Sequence, residues 1–479
     1  MPPEQSPPSV PDSLGDSDKR FLWLVLAAWI CFAVVWRADL DVAWFTLSAD
    51  DIFRTEHAIQ VANGEILPSD LWPPLPFWLA GTLVRVGLSA LTAPSVVNLG
   101  ATTLSLLFAA DTARILLPNR LAPTFTVMLA GTLPWTLWLA WSSMSEPVAM
   151  AAHLAVIRGL AEWRTNRGVV LVVGGLCLGG LTRYESWGDF VVVLALAWFV
   201  RSQVRWRWAF VPLMFPVFWL LLQWSWLGNP VNFAAAARSD AMGEQEAAAG
   251  WVAGSTALRQ LWQAGDIVIP LGILGWWGVR TRASVRAPMV FGCTSLLLQL
   301  GVAVVGFGEP MPRHYVGHAA FLAIGAAGAA GTVRGSLSIV AVTALTLGRM
   351  AMFLLHPPPL YVTRELQAAV AQLAMVAPNE RRNLLVEFED FSSLAVPLLL
   401  PSRTVIWDRE PVSDAYGGED LSAGSSVLLL PRSELFPWLK RERVGSILTV
   451  TPTGRFRTKR MMKSAFDLGG YSFFAVPAE

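Results

Sequence analysis

Two adjacent acids, Asp50 and Asp51, are the first residues of the chain whose types and spacing could do chemistry. They belong to the segment Leu47–Pro76, which contains three further carboxylates. Apolar residues at helical spacing follow them up to Asn63-Gly64, so the pattern predicts a short amphipathic helix at a membrane surface. The acids could instead only cap that helix, with Asp50 paired to Arg54 one turn later. We favour chemistry, because the segment follows the first strongly apolar run of the chain.

Polar residues at the ends of later apolar runs form the second group of candidates. Glu146 opens one run, Arg183-Tyr184-Glu185 closes another, and Arg313-His314-Tyr315 opens a third. Charges at such positions are costly unless they are partnered, and they often mark a functional site. A carboxylate can accept the proton of an alcohol while a new bond forms, and arginine holds a departing phosphate through two hydrogen bonds. These residue types suit transfer from a phosphate donor that is dissolved in the bilayer.

The composition places these candidates in a polytopic membrane protein. Of the 479 residues, 54% are hydrophobic and only 15% are charged, and the mean hydropathy is +0.48. In soluble domains nearly a quarter of the residues are charged. Apolar runs of about 20 residues are typical of membrane-spanning helices. A net charge of +1 without a basic tract gives no indication of a nucleic-acid partner. The three cysteines lie inside apolar runs, which favours core positions over disulfides or a metal site.

The hydropathy pattern predicts three regions. Residues 1–18, rich in Pro, Ser and Asp, predict a disordered cytoplasmic tail. Residues 19–356 predict a transmembrane domain of about eleven spans, with twelve as the alternative. The predicted spans are the apolar runs Phe21–Trp36, Ser95–Leu116, Leu121–Trp141, Pro147–Trp163, Val169–Leu181, Gly188–Val200, Trp208–Leu227, Asp266–Gly278, Pro288–Phe307, Tyr315–Gly331 and Leu337–Leu355.

Arginine clusters occur at every second connection between these runs, so we place those connections in the cytoplasm. The clearest clusters are Arg114/Arg120, Arg158/Arg164/Arg167, Arg201/Arg205/Arg207 and Arg280/Arg282/Arg286. The intervening connections, with the first loop at 38–75, then face outside. The count requires that Pro76–Leu91 forms a re-entrant or surface helix, which its prolines and Arg85 favour.

Residues 357–479 differ in composition and predict a small extracytoplasmic α/β domain. Arg364–Val376 has the pattern of an amphipathic helix, and five segments have the pattern of strands. The predicted strands are Leu384–Phe388, Thr404–Trp407, Val427–Leu430, Ser446–Val450 and Tyr471–Val476. The domain lacks glycine-rich phosphate motifs, so we infer no nucleotide site.

Five short stretches resemble the GT-C superfamily of membrane glycosyltransferases, particularly its protein O-mannosyltransferase-like and aminoarabinose-transferase-like members. SADDIFRTEHA is similar to the acidic pair and short helix of their first external loop, and DLWPPLPFWLAG to their Pro-Pro-Leu stretch. SEPVAMAAHLAV resembles the acid that opens a later span, and LTRYESW and PRHYVGHAAFLAIGAA their later arginine-containing helix ends. The resemblance covers roughly residues 20 to 330 and departs at Trp72, where His or Lys often precedes the two prolines.

The resemblance implies an inverting transferase that uses a polyprenyl-phosphate sugar, acting on a glycan, lipid or protein acceptor at the outer face of a bacterial inner membrane. It implies that Asp50, or else Asp51, is the general base, and that Arg313, His314 and Arg183 bind the donor phosphate. It places Glu146 near acceptor or donor. We add to that binding group, as weaker candidates, the residues Glu185, Tyr184, Tyr315, His57 and Trp72. No cofactor is required, and a divalent metal such as Mg²⁺ or Mn²⁺ is left open.

Two other classes compete with the enzyme. A transporter or lipid flippase predicts charges in the middle of spans, for which Asp111 is the main candidate, and a two-fold repeat that the hydropathy lacks. A non-catalytic scaffold that presents the C-terminal domain would leave the clustered external acids without a role.

Overall fold

A computed structural model provides the three-dimensional structure. It describes residues 16–67, 69, 72–199, 206–230, 251–305, 311–333, 335–376, 380, 382–386, 391–407, 428, 432–450, 464–468 and 471–476. The predicted disordered tail lies almost wholly outside these residues, as do most of the predicted strand Val427–Leu430 and the loop acids Asp70 and Glu309.

The described chain is mainly helical. We number the helices α1 Asp16–Asp39, α2 Ala49–Ala62, α3 Leu75–Arg85, α4 Ala93–Leu116, α5 Ala122–Gly131, α6 Pro134–Leu139, α7 Glu146–Ala161, α8 Asn166–Gly180, α9 Ser186–Phe199, α10 Met214–Leu227, α11 Trp251–Gly265, α12 Val268–Val279, α13 Ala283–Val305, α14 Val316–Ala330, α15 Gly335–Leu355, α16 Arg364–Val376, α17 Val396–Leu399 and α18 Arg432–Arg441. Short 3₁₀ helices cover Trp206–Leu213, Pro312–Tyr315 and Phe391–Ala395.

Four of the described helices, α1, α4, α13 and α15, are long and apolar enough to cross a bilayer. Several shorter apolar helices lie between them, so the predicted number of spans stays a prediction. Helix α3 has 11 residues. At 1.5 Å per residue it would extend about 16 Å, roughly half of a 30 Å hydrocarbon core. That length agrees with the expectation that Pro76–Leu91 does not cross.

The predicted span Leu121–Trp141 consists of two helices, α5 and α6, because Pro134 interrupts it. Pro134 occupies the first position of α6, where its missing N–H costs nothing. Proline disfavours the helical conformation at the preceding residue, and Leu133 has φ −64° and ψ 135°. The break directs the chain into the loop that precedes α7.

The arginine-rich connections meet at one end of the helices. Asp111 of α4 forms ion pairs with Arg114, with Arg158 of α7 and with Arg167 of α8. Helix α7 begins at Glu146, so Glu146 and Arg158 lie at opposite ends of the bundle. This arrangement supports the predicted alternation of sides, while the assignment of one end to the cytoplasm stays a prediction.

Small residues bring α12 and α14 into backbone contact. A Cβ atom added to Gly275 would collide with the carbonyl oxygen of Gly325, and one added to Gly325 would collide with that of Gly272. Small residues allow such close packing in helix pairs within lipid. The contact of α14 fixes the helix that follows Arg313 and His314.

The C-terminal region contains a five-stranded sheet in the order β2-β1-β3-β5-β4. The strands are β1 Asn383–Val386, β2 Val405–Trp407, β3 Val444–Val450, β4 Ser464–Leu468 and β5 Tyr471–Ala475. Strand β1 pairs in parallel with β2 and β3, whereas β5 is antiparallel to β3 and β4. The pattern agrees with four of the predicted strands and adds β4, which the sequence did not indicate.

The sheet domain holds the loop that leads from α1 to α2. The Trp44 backbone N–H donates to Gln367 Oε1 at 2.9 Å, and Gln367 Nε2 donates back to the Trp44 carbonyl at 2.8 Å. The Val362 N–H donates to Thr46 Oγ1 at 2.8 Å. Trp44 and Ile52 are buried in the same apolar cluster as α16, β1 and β5. Helix α2 is therefore fixed from the side of the C-terminal domain.

Candidate active site

The two adjacent aspartates have different surroundings. Asp51 is completely buried. Its Oδ2 accepts hydrogen bonds from the N–H groups of Leu47 at 2.7 Å and Ser48 at 3.1 Å, and its Oδ1 accepts from the N–H of Ser143 at 2.5 Å. Burial, only partly opposed by these hydrogen bonds, raises the pKa of Asp51 to about 6. Its geometry is that of a carboxylate that fixes the start of α2 against the loop before α7.

Asp50 faces other side chains instead. Arg313 Nη2 donates to Asp50 Oδ2 at 3.0 Å, and the Asp50 side chain keeps 27% of its surface exposed. The Arg313 guanidinium also lies 3.4 Å from the hydroxyl of Ser48, the residue before α2. Of the two acids, Asp50 is the one with an accessible carboxylate beside a charged partner.

A chain of ion pairs extends from Asp50 into the protein. Arg313 Nε lies 3.4 Å from Glu146 Oε1, and the same oxygen lies 2.6 Å from Arg183 Nη1. Arg183 also forms a two-pronged pair with Glu185, at 2.6 Å and 3.1 Å. Glu146 is buried, so it depends on both arginines to offset its desolvation. Residues from four separate segments thus converge, as the sequence predicted.

These ion pairs, together with burial, shift the pKa values of the charged groups at the site. Burial alone would raise the pKa of Glu185, but the adjacent Arg183 lowers it to about 2. Burial would likewise lower the pKa of Arg183, but Glu185 and Glu146 raise it. Desolvation, with the positive charge of Arg183, lowers the pKa of His314 to about 4. His314 is therefore neutral at pH 7 and can offer a hydrogen bond rather than a charge.

A cavity of about 60 Å³ opens beside the ion pairs. Five of the predicted site residues line it: Glu146, Arg183, Glu185, Arg313 and His314. Asp50 is absent from the lining and reaches the cavity through Arg313.

The remaining predicted residues lie around this centre rather than in it. The His57 ring packs between Phe77 and Trp72, with ring centroids at 5.1 and 5.8 Å. The Tyr184 hydroxyl accepts a 3.0 Å hydrogen bond from Trp219 Nε1. Tyr315 is buried in the apolar core of the helices. None of these side chains lines the cavity, so their assignment as ligand-binding residues gains no support from its geometry.

Sequence reasoning missed Arg54 as part of the site. The sequence indicated Arg54 only as an ion-pair partner of Asp50 one helical turn later. Its side chain is buried, and its guanidinium lies 4.5 Å from the ring centroid of Trp72. In the part of the chain that the structure describes, Arg54 Nε has no hydrogen-bond partner. Cation–π contact offsets part of the desolvation of such a group. The signal in the sequence was its position four residues after Asp50.

The described residues do not fit a divalent cation at this centre. Asp50 and Glu146 are both paired with Arg313. Across the described ranges, no group of three or more His, Cys, Asp or Glu residues is arranged to hold a metal ion. We therefore route no step through a metal.

Comparisons with known proteins identify the fold. No protein-family model matches the sequence, and no curated protein matches it. ArnT from Cupriavidus metallidurans matches in the apo state with a TM-score of 0.65 and 14% identity, over 97% of this chain and 100% of that chain. The same protein bound to undecaprenyl phosphate matches with a TM-score of 0.62 and 15% identity, over 95% of this chain and 99% of that chain. The oligosaccharyltransferase AglB from Archaeoglobus fulgidus, in complex with an inhibitory peptide and a dolichol-phosphate, matches with a TM-score of 0.55 and 10% identity, over 91% of this chain and 70% of that chain.

The likeness to ArnT extends over almost the whole of both chains, including the C-terminal sheet domain. At these identities the likeness concerns the fold. The chain therefore shares the fold of ArnT and AglB, in agreement with the resemblance of its sequence to the GT-C superfamily.

Proposed function

We propose that the protein is a membrane glycosyltransferase that moves a sugar from a polyprenyl-phosphate donor to a hydroxyl acceptor, with inversion, at the outer face of a bacterial inner membrane. The observation that carries the proposal is the ion-pair chain from Asp50 through Arg313 and Glu146 to Arg183 at the mouth of a cavity. The fold agrees with it, since ArnT has been solved with undecaprenyl phosphate and AglB with a dolichol-phosphate.

The roles follow from the charges. Arg313 and Arg183 hold the donor phosphate, because a guanidinium matches two phosphate oxygens and stabilises the charge that develops on the leaving group. Asp50 accepts the proton of the acceptor hydroxyl. The acceptor oxygen forms a bond to the anomeric carbon while the bond from that carbon to the phosphate oxygen breaks. The bonding pair stays with the phosphate, and the proton stays on Asp50.

Arg313 also connects the donor site to the base in this arrangement. Its Nη2 lies 3.0 Å from Asp50 Oδ2 in the free protein. When the guanidinium turns to the donor phosphate, the Asp50 carboxylate loses this partner, and its oxygens become accessible to the acceptor hydroxyl.

The competing transporter reading receives no support from Asp111. Its carboxylate is paired with Arg114, Arg158 and Arg167, at the end of the bundle opposite Glu146. It therefore behaves as a structural ion-pair centre between α4, α7 and α8.

The decisive experiment incubates the purified protein in proteoliposomes with several undecaprenyl-phosphate sugars, with water as the acceptor, and measures hydrolytic release of undecaprenyl phosphate. We expect turnover of at least one donor, and loss of that turnover in Asp50→Asn. A protein that binds none of these lipids, or an Asp50→Asn variant that turns over normally, would refute the proposal.

A further inference from the structure

The inner part of the cavity contains a polar cluster that the proposed mechanism does not use. It consists of His153 of α7, Asp189 of α9, Ser295 of α13 and His318 of α14, each at least nine-tenths buried. All four residues line the same cavity as Arg183 and Arg313. Each is a buried polar residue within a largely apolar helix, so its position requires an explanation.

The cluster is joined by hydrogen bonds within itself. His153 Nδ1 lies 3.0 Å from Asp189 Oδ2. Ser295 Oγ donates to Asp189 Oδ1 at 2.5 Å and lies 3.2 Å from His318 Nε2. The two imidazole rings lie next to each other, with centroids 4.9 Å apart, and the His153 ring also packs on Phe291.

For neutral imidazole rings and an ionised Asp189, the hydrogen bonds assign both tautomers. A carboxylate only accepts, so His153 Nδ1 and the Ser295 hydroxyl must both donate to Asp189. Ser295 has then used its one proton, and its oxygen accepts from His318 Nε2. Both rings therefore carry their proton on the nitrogen that faces the cluster. The other nitrogens, His153 Nε2 and His318 Nδ1, are bare hydrogen-bond acceptors.

Neither bare nitrogen has a hydrogen-bond partner among the residues that the structure describes. A buried acceptor without a partner is destabilising, and such atoms are rare in folded proteins. Two of them on adjacent rings of one cavity therefore indicate a ligand that supplies hydrogen-bond donors. Phosphate oxygens are excluded at this end of the cavity, because they would meet lone pairs rather than N–H groups.

We propose that His153 and His318 form a subsite for the donor sugar, binding neighbouring hydroxyl or ammonium groups on one edge of the ring. The inference rests on the proposed function and adds the specificity-determining residues. The phosphate end of the donor meets Arg183 and Arg313, and the sugar edge meets the two imidazoles in the same cavity. With about 60 Å³, the cavity has room for roughly four waters, which suits a polar edge rather than a fully enclosed ring.

Two substitutions separate sugar recognition from folding. His153→Asn keeps an amide donor where Nδ1–H meets Asp189 and removes Nε2. His318→Gln keeps an amide donor where Nε2–H meets Ser295 and removes Nδ1. The exposed His356→Asn is the matched control. Each protein is reconstituted in nanodiscs, and its affinity is measured for undecaprenyl phosphate and for a panel of undecaprenyl-phosphate hexoses, pentoses and amino sugars.

We expect the unaltered protein to bind at least one sugar-bearing lipid more tightly than undecaprenyl phosphate. His153→Asn and His318→Gln should each weaken the affinity for that lipid by about 10-fold, which corresponds to one good hydrogen bond. Each should change the affinity for undecaprenyl phosphate by less than about two-fold. A donor analogue with the recognised hydroxyl replaced by hydrogen should lose affinity for the unaltered protein but bind the matching variant as the parent sugar does.

Distinct results would overturn the subsite and the proposed function. If the unaltered protein binds no polyprenyl phosphate, the proposed function fails. If it binds the lipids through Arg313 but shows no preference for any sugar, or if both histidine variants keep that preference, the subsite alone is wrong. Loss of the preference on addition of EDTA would place a metal on the bare nitrogens and would also overturn it.

Discussion

Arg313 donates a 3.0 Å hydrogen bond to Asp50 although 263 residues separate them in the sequence. This pair joins α2, which follows the first apolar helix, to the segment before α14. Through Glu146 the same guanidinium reaches Arg183. One arginine therefore links the candidate base to the candidate phosphate-binding groups.

The two adjacent aspartates should respond differently to the same substitution. Asp50→Asn removes an accessible carboxylate, so we expect transfer to fall by about 10²–10⁴-fold with little change in thermal unfolding. Asp51→Asn places an amide N–H₂ group against backbone N–H donors in a buried site, which costs about 1–3 kcal/mol. It should lower the unfolding temperature. The exposed Asp41→Asn serves as the control, and equal behaviour of the two variants would contradict the assignment.

Arg313→Lys should weaken the binding of the lipid phosphate beside the candidate base. Lysine keeps the charge but cannot match two phosphate oxygens. We expect the affinity for undecaprenyl phosphate to fall by about 10-fold or more, measured by binding in nanodiscs. Arg364→Lys, at an exposed position of α16, should leave it unchanged. An unchanged affinity in Arg313→Lys would remove Arg313 from the phosphate site.

His314 should make the folded protein sensitive to acid. Its pKa is lowered from 6.5 to about 4, chiefly by desolvation. Between these values the unfolded chain binds the proton and the folded protein does not, so stability falls as pH drops from 6.5 to 4, by roughly 3 kcal/mol. The raised pKa of Asp51 acts in the opposite direction below pH 6. The contribution of Asp51 cancels when the unaltered protein is compared with His314→Gln. On acidification, the unfolding temperature of the variant should fall less than that of the unaltered protein. Parallel plots of unfolding temperature against pH for the two proteins would contradict the prediction.

The hydrogen bonds between Gln367 and Trp44 should hold α2 in place. Gln367→Ala removes both bonds to the Trp44 backbone. We expect faster amide exchange in residues 44–52 and a reduced transfer rate, because Asp50 loses its fixed position. Gln372→Ala on the same helix is the control. Unchanged exchange in this segment would show that apolar packing of Trp44 and Ile52 suffices.

The predicted sidedness can be tested with cysteines in a cysteine-free background. Glu65 in the first loop and Thr281 in an arginine-rich connection are both exposed. A membrane-impermeant maleimide should label Glu65→Cys in intact cells and Thr281→Cys only after permeabilisation. The reverse result would invert the orientation. Ser142, in the same predicted external connection as Glu146, is fully buried and would report nothing.

Much of the architecture could be predicted because lipid imposes simple rules on sequence. Apolar runs and alternating arginine clusters were sufficient to bring Asp50, Glu146, Arg183 and Arg313 to one end of the bundle. Helix α11 was missed and placed within an external loop. It carries Arg259, Gln260 and Gln263 among its apolar residues, so its hydropathy does not differ clearly from that of an interfacial segment.

The inner cluster could not be predicted, for a different reason. His153, Asp189, Ser295 and His318 are dispersed over 166 residues, and each lies within a largely apolar run. Only the packing of α7, α9, α13 and α14 brings them together. The different surroundings of Asp50 and Asp51 could not be predicted either. They depend on whether backbone N–H groups or a guanidinium contact the carboxylate.

The attachment of Trp44 to Gln367 has a consequence for protein engineering. Exchange of the C-terminal domain between relatives at a boundary near residue 357 would graft a foreign surface onto a loop that was shaped by another partner. Chimeras that transplant residues 40–52 together with that domain should stay active where simple fusions fail. The functional module is discontinuous in the gene.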